Sequence, residues 1–201
     1  MTNILIIGAT GSFGSALRAS LQDKTDFNVT LFSRSAGKLL PKTSRETVMA
    51  GDATDIDTLR PLVQNSDYIF SAVSGQQIIQ VTQNLGALTK QTNKHVILVS
   101  SLGIYNEIPQ SMGAEWNLDE NSILKPYRKA ADLVESGVNH YTIIRPGWIK
   151  QGQPAPEYEV TEKGKSFGGR EVSPANLAHL VDDILQDPHD YDGRNLGIND
   201  N

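Results

Sequence analysis

Gly8, Gly11 and Gly14 stand three residues apart near the head of the chain. A glycine turn that opens a helix gathers backbone N–H groups and the positive end of the helix dipole at one point, with no side chain in the way. That is a place for a diphosphate, cradled by Gly8, Thr10, Gly11, Ser12, Phe13 and Gly14. A second group of residues suits a further phosphate. Ser33 would not repel one, Arg34 offers a planar fork of donors, and Lys38 follows closely.

The elements around these residues decide between a binding loop and an ordinary tight turn, which a bare glycine triplet fits equally well. Ile4 to Ile7 is a run of four apolar residues, too short for a helix and rich enough in β-branching for a buried parallel strand. Ser15, Ala16, Leu17 and Leu21 begin an amphipathic helix, and Phe27 to Phe32 reads as the next strand. Strand, glycine turn, helix and strand in this order make the βαβ fingerprint of a dinucleotide site. Nineteen positions after Gly14, where an NAD-preferring domain carries an acid for the ribose hydroxyls, stands Ser33. With the acid missing and Arg34 beside it, NADP(H) is favoured over NAD(H); the other reading makes Arg34 and Lys38 a solvated basic patch.

The Gly-Ala-Thr-Gly form of residues 8–11, within Gly-x-x-Gly-x-x-Gly, resembles the short-chain dehydrogenase/reductase superfamily, and its atypical NmrA-like and flavin-reductase-like members in particular. The resemblance implies a single Rossmann-type α/β domain over residues 1–201, with a doubly wound parallel sheet of order 3-2-1-4-5-6. Asn195 to Asn199 is a candidate seventh strand.

Length and composition agree with one domain. A chain of 201 residues can bury a full core, and the net charge of −5 argues against nucleic acid as the main partner. There is no cysteine, which excludes disulfides and thiolate chemistry, and the four histidines have no metal-ligand spacing. No apolar run approaches a membrane span, and the start lacks a basic leader, so a cytoplasmic chain, intact from its first residue, is expected. The expected partner is a small-molecule acceptor, with the protein a monomer or homodimer.

Further strands are predicted over Glu46 to Ala50, Tyr68 to Val73, His95 to Val99 and His140 to Ile144, with helices over Ile56 to Val63, Gln76 to Thr92, from Lys125 to about Ser136, and Ala175 to Leu185. The resemblance implies that Asp52 and the Ala53 amide hold the adenine ring, with Thr54 or Asp55 capping the following helix. Small residues at the end of the fourth strand, Ala72, Val73 and Ser74, would let the cofactor cross it. His95, at the start of its strand, reads as a surface residue, since chemistry in open α/β sheets collects at the opposite strand ends.

Ser101, after the fifth strand, resembles the hydroxyl that orients a substrate carbonyl; the plainer reading is that Ser100 and Ser101 merely end a strand. The run YTIIRPGW, residues 141–148, is similar to that of the atypical members, which implies that Pro146, Gly147 and Trp148 border the nicotinamide. Trp148 either shields the ring or fills the core. Residues 104–125 and 150–172 would form the acceptor pocket, with Tyr105, Met112 and Trp116 as wall or anchor. The closing run GREVSPANLAHLVDDIL resembles the family helix that walls the pocket.

The best-known members place Tyr and Lys at i and i+4 of one helix, where Lys lowers the phenol pKa. Here Tyr127 and Lys129 are two apart, roughly 200° around a helix, and cannot act together on a regular one. Lys129 alone resembles the lysine that holds the nicotinamide ribose; the alternative is a solvated helix lysine. Two functions remain: an NADPH-dependent reductase of a small carbonyl, quinone or flavin-type acceptor, with Ser101, Tyr127 and Lys129 as candidate catalytic residues, or a non-catalytic NADP(H) sensor. An epimerase acting on a nucleotide sugar is disfavoured by the missing acid and the missing sugar domain.

Overall fold

In a computed structural model that describes residues 1–150, 154 and 157–201, alternate residues of a continuous apolar strand serve two different cores. On β1 (Thr2–Ile7), Ile4 and Ile6 face one side of the sheet, while Leu5 and Ile7 face the other. This is the pattern of a parallel strand buried on both faces. The chain continues through α1 (Ser12–Leu21), β2 (Phe27–Ser33), β3 (Glu46–Ala50), α2 (Ile56–Gln64), β4 (Tyr68–Ser71), α3 (Gln77–Thr89), β5 (His95–Val99), α4 (Lys125–Gly137) and β6 (His140–Pro146). After these come β7 (Trp148–Ile149), β8 (Tyr158–Glu162), β9 (Glu171–Val172), α5 (Pro174–Gln186), α6 (Pro188–Tyr191) and β10 (Arg194–Asp200).

The main sheet has the order β3-β2-β1-β4-β5-β6-β10-β8. The first seven of these are parallel neighbours, and β8 closes the edge antiparallel to β10. The candidate seventh strand is thus β10, with an eighth beyond it; β7 and β9 pair separately. Helices α1 and α5 pack together on one face, where Leu17, Leu21, Leu177, Val181 and Ile184 meet Ile4, Ile6 and Ile97. On the other face α2, α3 and α4 bring Leu59, Val63, Val81, Leu85 and Val134 onto Leu5, Ile7, Ile69 and Val96. The strand order reverses between β1 and β4, and the crevice above that point is where open α/β sheets take their ligands.

Local signals explain most boundaries. Asp55 caps α2 by accepting from the Asp57 N–H, and Ser173 caps α5 by accepting from the Asn176 N–H, with Pro174 at the first helical position. Helix α3 ends at Thr89, earlier than its apolar pattern suggests: Lys90 leaves the helical region with ψ of 129°, and Gln91 after it adopts a left-handed φ of 58°. The sixth strand runs two residues further than expected, through Arg145 and Pro146, since β10 pairs with it as far as Pro146. His95 is a correction of another kind. It is buried, with its Nε2 donating to Thr142 Oγ1 at 2.9 Å while that hydroxyl donates to the Tyr191 carbonyl at 2.8 Å. Burial pushes its pKa down to about 4, the charge of His140 works in the same direction and that of Asp192 opposes it. Among the described residues no helix is long and apolar enough to cross a membrane.

Candidate functional site

The glycine turn after β1 is shaped by three close approaches. Gly8 has φ of +87°, and a Cβ there would lie 2.8 Å from the Ala72 carbonyl oxygen. A Cβ on Gly14 would drive into the Gly8 carbonyl itself. Between them the Gly11 N–H donates to the Gly8 carbonyl at 2.9 Å, folding the turn shut. Helix α1 then starts at Ser12, three residues before the amphipathic pattern becomes visible, and no side chain caps it. The first-turn N–H groups of Ser12, Phe13 and Gly14 have no acceptor within the helix. They stand beside a cleft that Ser12 and Phe13 line. This cradle fits a diphosphate.

To one side the cleft opens into a cavity of about 240 Å³ whose polar wall contains Thr10, Ser33, Arg34, Asp52 and Ala53, as the sequence implied. The structure adds Ser35, Thr54 and Gln77. Thr10 Oγ1 hydrogen-bonds to Ser33 Oγ at 3.1 Å and Ser35 Oγ at 3.0 Å, so three hydroxyls cluster on a wall that Arg34 also lines. Lys38 does not join them. It ends a short 3₁₀ turn, Ala36–Lys38, and is exposed away from the cavity wall. The Asp52 carboxyl is held below its ordinary range by hydrogen bonds from the Thr54 N–H and hydroxyl, with the nearby Arg34 charge adding to them.

To the other side a cavity of about 450 Å³ passes over Ala72, Val73 and Ser74 to Ser100, Ser101, Tyr127, Pro146, Gly147 and Trp148. It adjoins a mainly apolar pocket of about 250 Å³ whose walls are Leu102, Ile108, Trp116, Asn121, Ile123 and Leu124. Ser101, Tyr127, Pro146, Gly147 and Trp148 belong to both cavities. Among the described residues no charged side chain lines either one. The Tyr127 phenol oxygen accepts from the Gly75 N–H at 3.0 Å, which leaves its own proton free to donate. Ser101 Oγ donates to the Leu102 carbonyl at 3.1 Å, and Ser100 Oγ to the Tyr127 carbonyl at 3.2 Å.

Lys129 is not part of this constellation. It is exposed on α4 and borders neither cavity, in keeping with its two-residue offset from Tyr127. Trp148, 45% exposed, is not a core residue; it meets Trp116 edge-on, with ring centroids 4.7 Å apart, at the mouth of the apolar pocket. Met112 lines a wider cleft outside that pair, and Tyr105 lies elsewhere. Helix α5 walls neither cavity, being spent on its packing against α1.

The apolar wall is carried by an irregular loop with polar supports. Arg145, fully buried, donates from Nη1 to Glu107 and from Nε to Asn195 Oδ1 at 2.9 Å. Glu107 also accepts from the Gly103 and Tyr105 N–H groups, at 3.2 and 2.8 Å. Asn117 grips both backbone polar groups of Ile108, at 3.0 and 2.9 Å. Tyr105 packs beneath Arg128 and Lys163, and burial, followed by the charge of Glu135, raises its pKa. The strand predicted over His140 to Ile144 stops short of Arg145, and the sequence gives Glu107 no role. A buried ion pair between a strand and a loop has no spacing signature.

The chain matches the family of NAD(P)H-binding proteins over residues 8–188 and belongs to it. It is an atypical short-chain dehydrogenase/reductase-like Rossmann protein. The chain is similar to a Rossmann-fold NAD(P)-binding family protein from Shigella flexneri, with 31% identity, TM-score 0.83, and coverage of 100% of this chain and 94% of that one. A short-chain dehydrogenase/reductase from Veillonella parvula in complex with NADP is 25% identical, with TM-score 0.85 and coverage of 99% and 94%. ChuY, an anaerobillin reductase from Escherichia coli O157:H7, shares the fold at TM-score 0.81 and 17% identity, over 98% and 96% of the two chains. No curated protein matches.

Proposed function

We propose that the protein is an NADP(H)-dependent reductase of a small, uncharged, ring-bearing acceptor of the carbonyl, quinone or flavin type. One observation carries this reading: the dinucleotide cleft and the apolar pocket meet at a shared boundary of Ser101, Tyr127, Pro146, Gly147 and Trp148. When bound, the nicotinamide supplies a hydride. The protein's own residues do the rest. The open N–H groups of α1 hold the diphosphate, and Arg34 with the Thr10, Ser33 and Ser35 hydroxyls takes the 2′-phosphate. Asp52 and the Ala53 amide take the adenine edge, and Pro146 and Gly147 bring rigid backbone to the nicotinamide end.

In the apolar pocket Tyr127 offers its hydroxyl proton to an acceptor oxygen, while the Gly75 N–H holds the phenol in place. Ser101 adds a second donor once its hydroxyl turns from the Leu102 carbonyl. A quinone or flavin type of acceptor can take its proton from water, so an ammonium beside the phenol is not required for that chemistry. The partner is accordingly a small molecule rather than nucleic acid or membrane, and the working unit a monomer or homodimer in the cytoplasm.

Steady-state oxidation of NADPH with a panel of quinones, flavins and aldehydes tests this reading. Turnover of at least one acceptor, reduced about tenfold or more in Tyr127→Phe, is the expected result. One observation favours a second reading: among the described residues no lysine lines either cavity. Binding of both redox forms with no turnover across the panel would make the protein an NADP(H) sensor.

A further inference from the structure

Asn84 lies in the middle of α3, 4% exposed, on the face that also buries Ile78, Val81 and Leu85. Asparagine is a poor residue inside a helix, and an amide buried without partners costs still more. Its partners therefore say what it is for. Nδ2 donates to the carbonyl oxygens of Ala53, at 3.1 Å, and Thr54, at 3.0 Å. Oδ1 accepts from Gln80 Nε2, one turn earlier, at 3.0 Å. With a donor on its oxygen, the amide must turn its NH₂ group to the loop. Two hydrogens then meet two carbonyls.

The loop so held follows β3 and borders the adenosine end of the cleft. Its turn is closed by the Asp55 N–H to the Asp52 carbonyl at 3.2 Å, and by Asp52 Oδ1 accepting from the Thr54 N–H and hydroxyl at 2.9 and 2.8 Å. Only Oδ1 is used in this way. Among the described residues Asp52 Oδ2 and the Ala53 N–H have no protein partner. An acceptor next to a donor is the complement of the amino-and-ring-nitrogen edge of adenine. At the start of the loop Gly51 lies over the Phe32 ring, where a Cβ would come within 2.8 Å.

We infer that Asn84 is the positioning residue of the adenine subsite: from within α3 it clamps the two carbonyls of the loop and so aims the free Asp52 oxygen and Ala53 N–H at the base. It lines none of the three cavities described above. Its influence passes through the loop alone. Loss of the clamp thus weakens the adenosine half of the cofactor and spares the nicotinamide half. The inference rests on the cofactor reading above, and the two fail differently.

The test is calorimetric titration of Asn84→Asp, which keeps the size of the side chain but sets an oxygen against the two carbonyls. The probes are 2′-phospho-ADP-ribose for one half and reduced nicotinamide mononucleotide for the other. The expected result is an increase of about tenfold in Kd for the first probe, no change for the second, and a KM for NADPH that rises more than kcat falls. Gln80→Leu, at an exposed position, should give the same one-sided loss at about threefold, because it frees the amide to turn. Equal weakening of both probes in a cooperatively melting variant, or wild-type affinity for the first, would overturn the inference. Should Asn84→Asp fail to fold, Gln80→Leu decides: a one-sided loss supports the clamp, and unchanged binding removes it. Failure of the wild-type protein to bind the first probe would remove the cofactor reading and the clamp together.

Discussion

The two halves of the site are built by different means. The cofactor cleft is made of backbone: a left-handed Gly8, a Gly14 with no room for a Cβ, and the uncapped first turn of α1. The apolar pocket is made of side chains on a loop, Ile108, Trp116, Asn121 and Ile123, hung from the buried Glu107–Arg145 pair. A backbone site is specified by glycines at fixed spacing and tolerates change elsewhere. A side-chain site on a loop depends on its remote supports, and its selectivity changes when they do.

This contrast can be broken first at the supports. Arg145→Met leaves the Glu107 carboxylate buried without its charge partner, and a loss of stability of about 3–5 kcal/mol in urea unfolding is expected. Replacing Glu107 by Leu in the same chain should recover part of that loss, since a matched apolar pair avoids the orphaned charge. In the cofactor half, Gly14→Ala presses a methyl group into the Gly8 carbonyl. It should weaken NADPH binding on the order of a hundredfold, about 3 kcal/mol, with little change in the loop of the apolar pocket.

His95, at the start of the central strand β5 and so at the opposite strand ends from both halves, supplies the control. Its pKa is depressed in the folded state, so the unfolded chain binds the extra proton more readily. Its contribution is fully present above its ordinary pKa of 6.5 and is lost as pH falls from there toward about 4. A decline of up to roughly 3 kcal/mol over that window is expected from this group, and His95→Gln should flatten the unfolding profile. NADPH affinity per folded molecule should not follow it. The smallest effect is the most local: Arg34→Asp should shift the preference between NADPH and NADH by roughly tenfold to a hundredfold toward NADH, or about 1–3 kcal/mol.

The backbone half was legible because glycine spacing, strand length and helix caps are local properties. Ile4–Ile7, the glycine triplet, Asp55 and Ser173 each announce their structure within a few residues. The ends of the signals were less sharp. Helix α1 begins at Ser12 because its first turn needs no apolar face, and β6 runs on to Pro146 because β10, fifty residues later, supplies the pairing. Lys38 and Lys129 illustrate the limit for charges. Each has the right type near the right place, yet a 3₁₀ turn and the helical period carry them away from the cavities. What could not be read at all depended on contacts across the fold: the Glu107–Arg145 pair, the Asn84 clamp and the burial of His95 against Thr142.

Calorimetric titration of the purified protein with NADPH and NADH, under identical conditions, tests the central claim most directly. The structure predicts one site per chain and at least about tenfold tighter binding of NADPH, from the Arg34 side of the cleft. Absence of binding by either nucleotide would contradict the reading of the glycine turn as a dinucleotide cradle, and with it the account of the site.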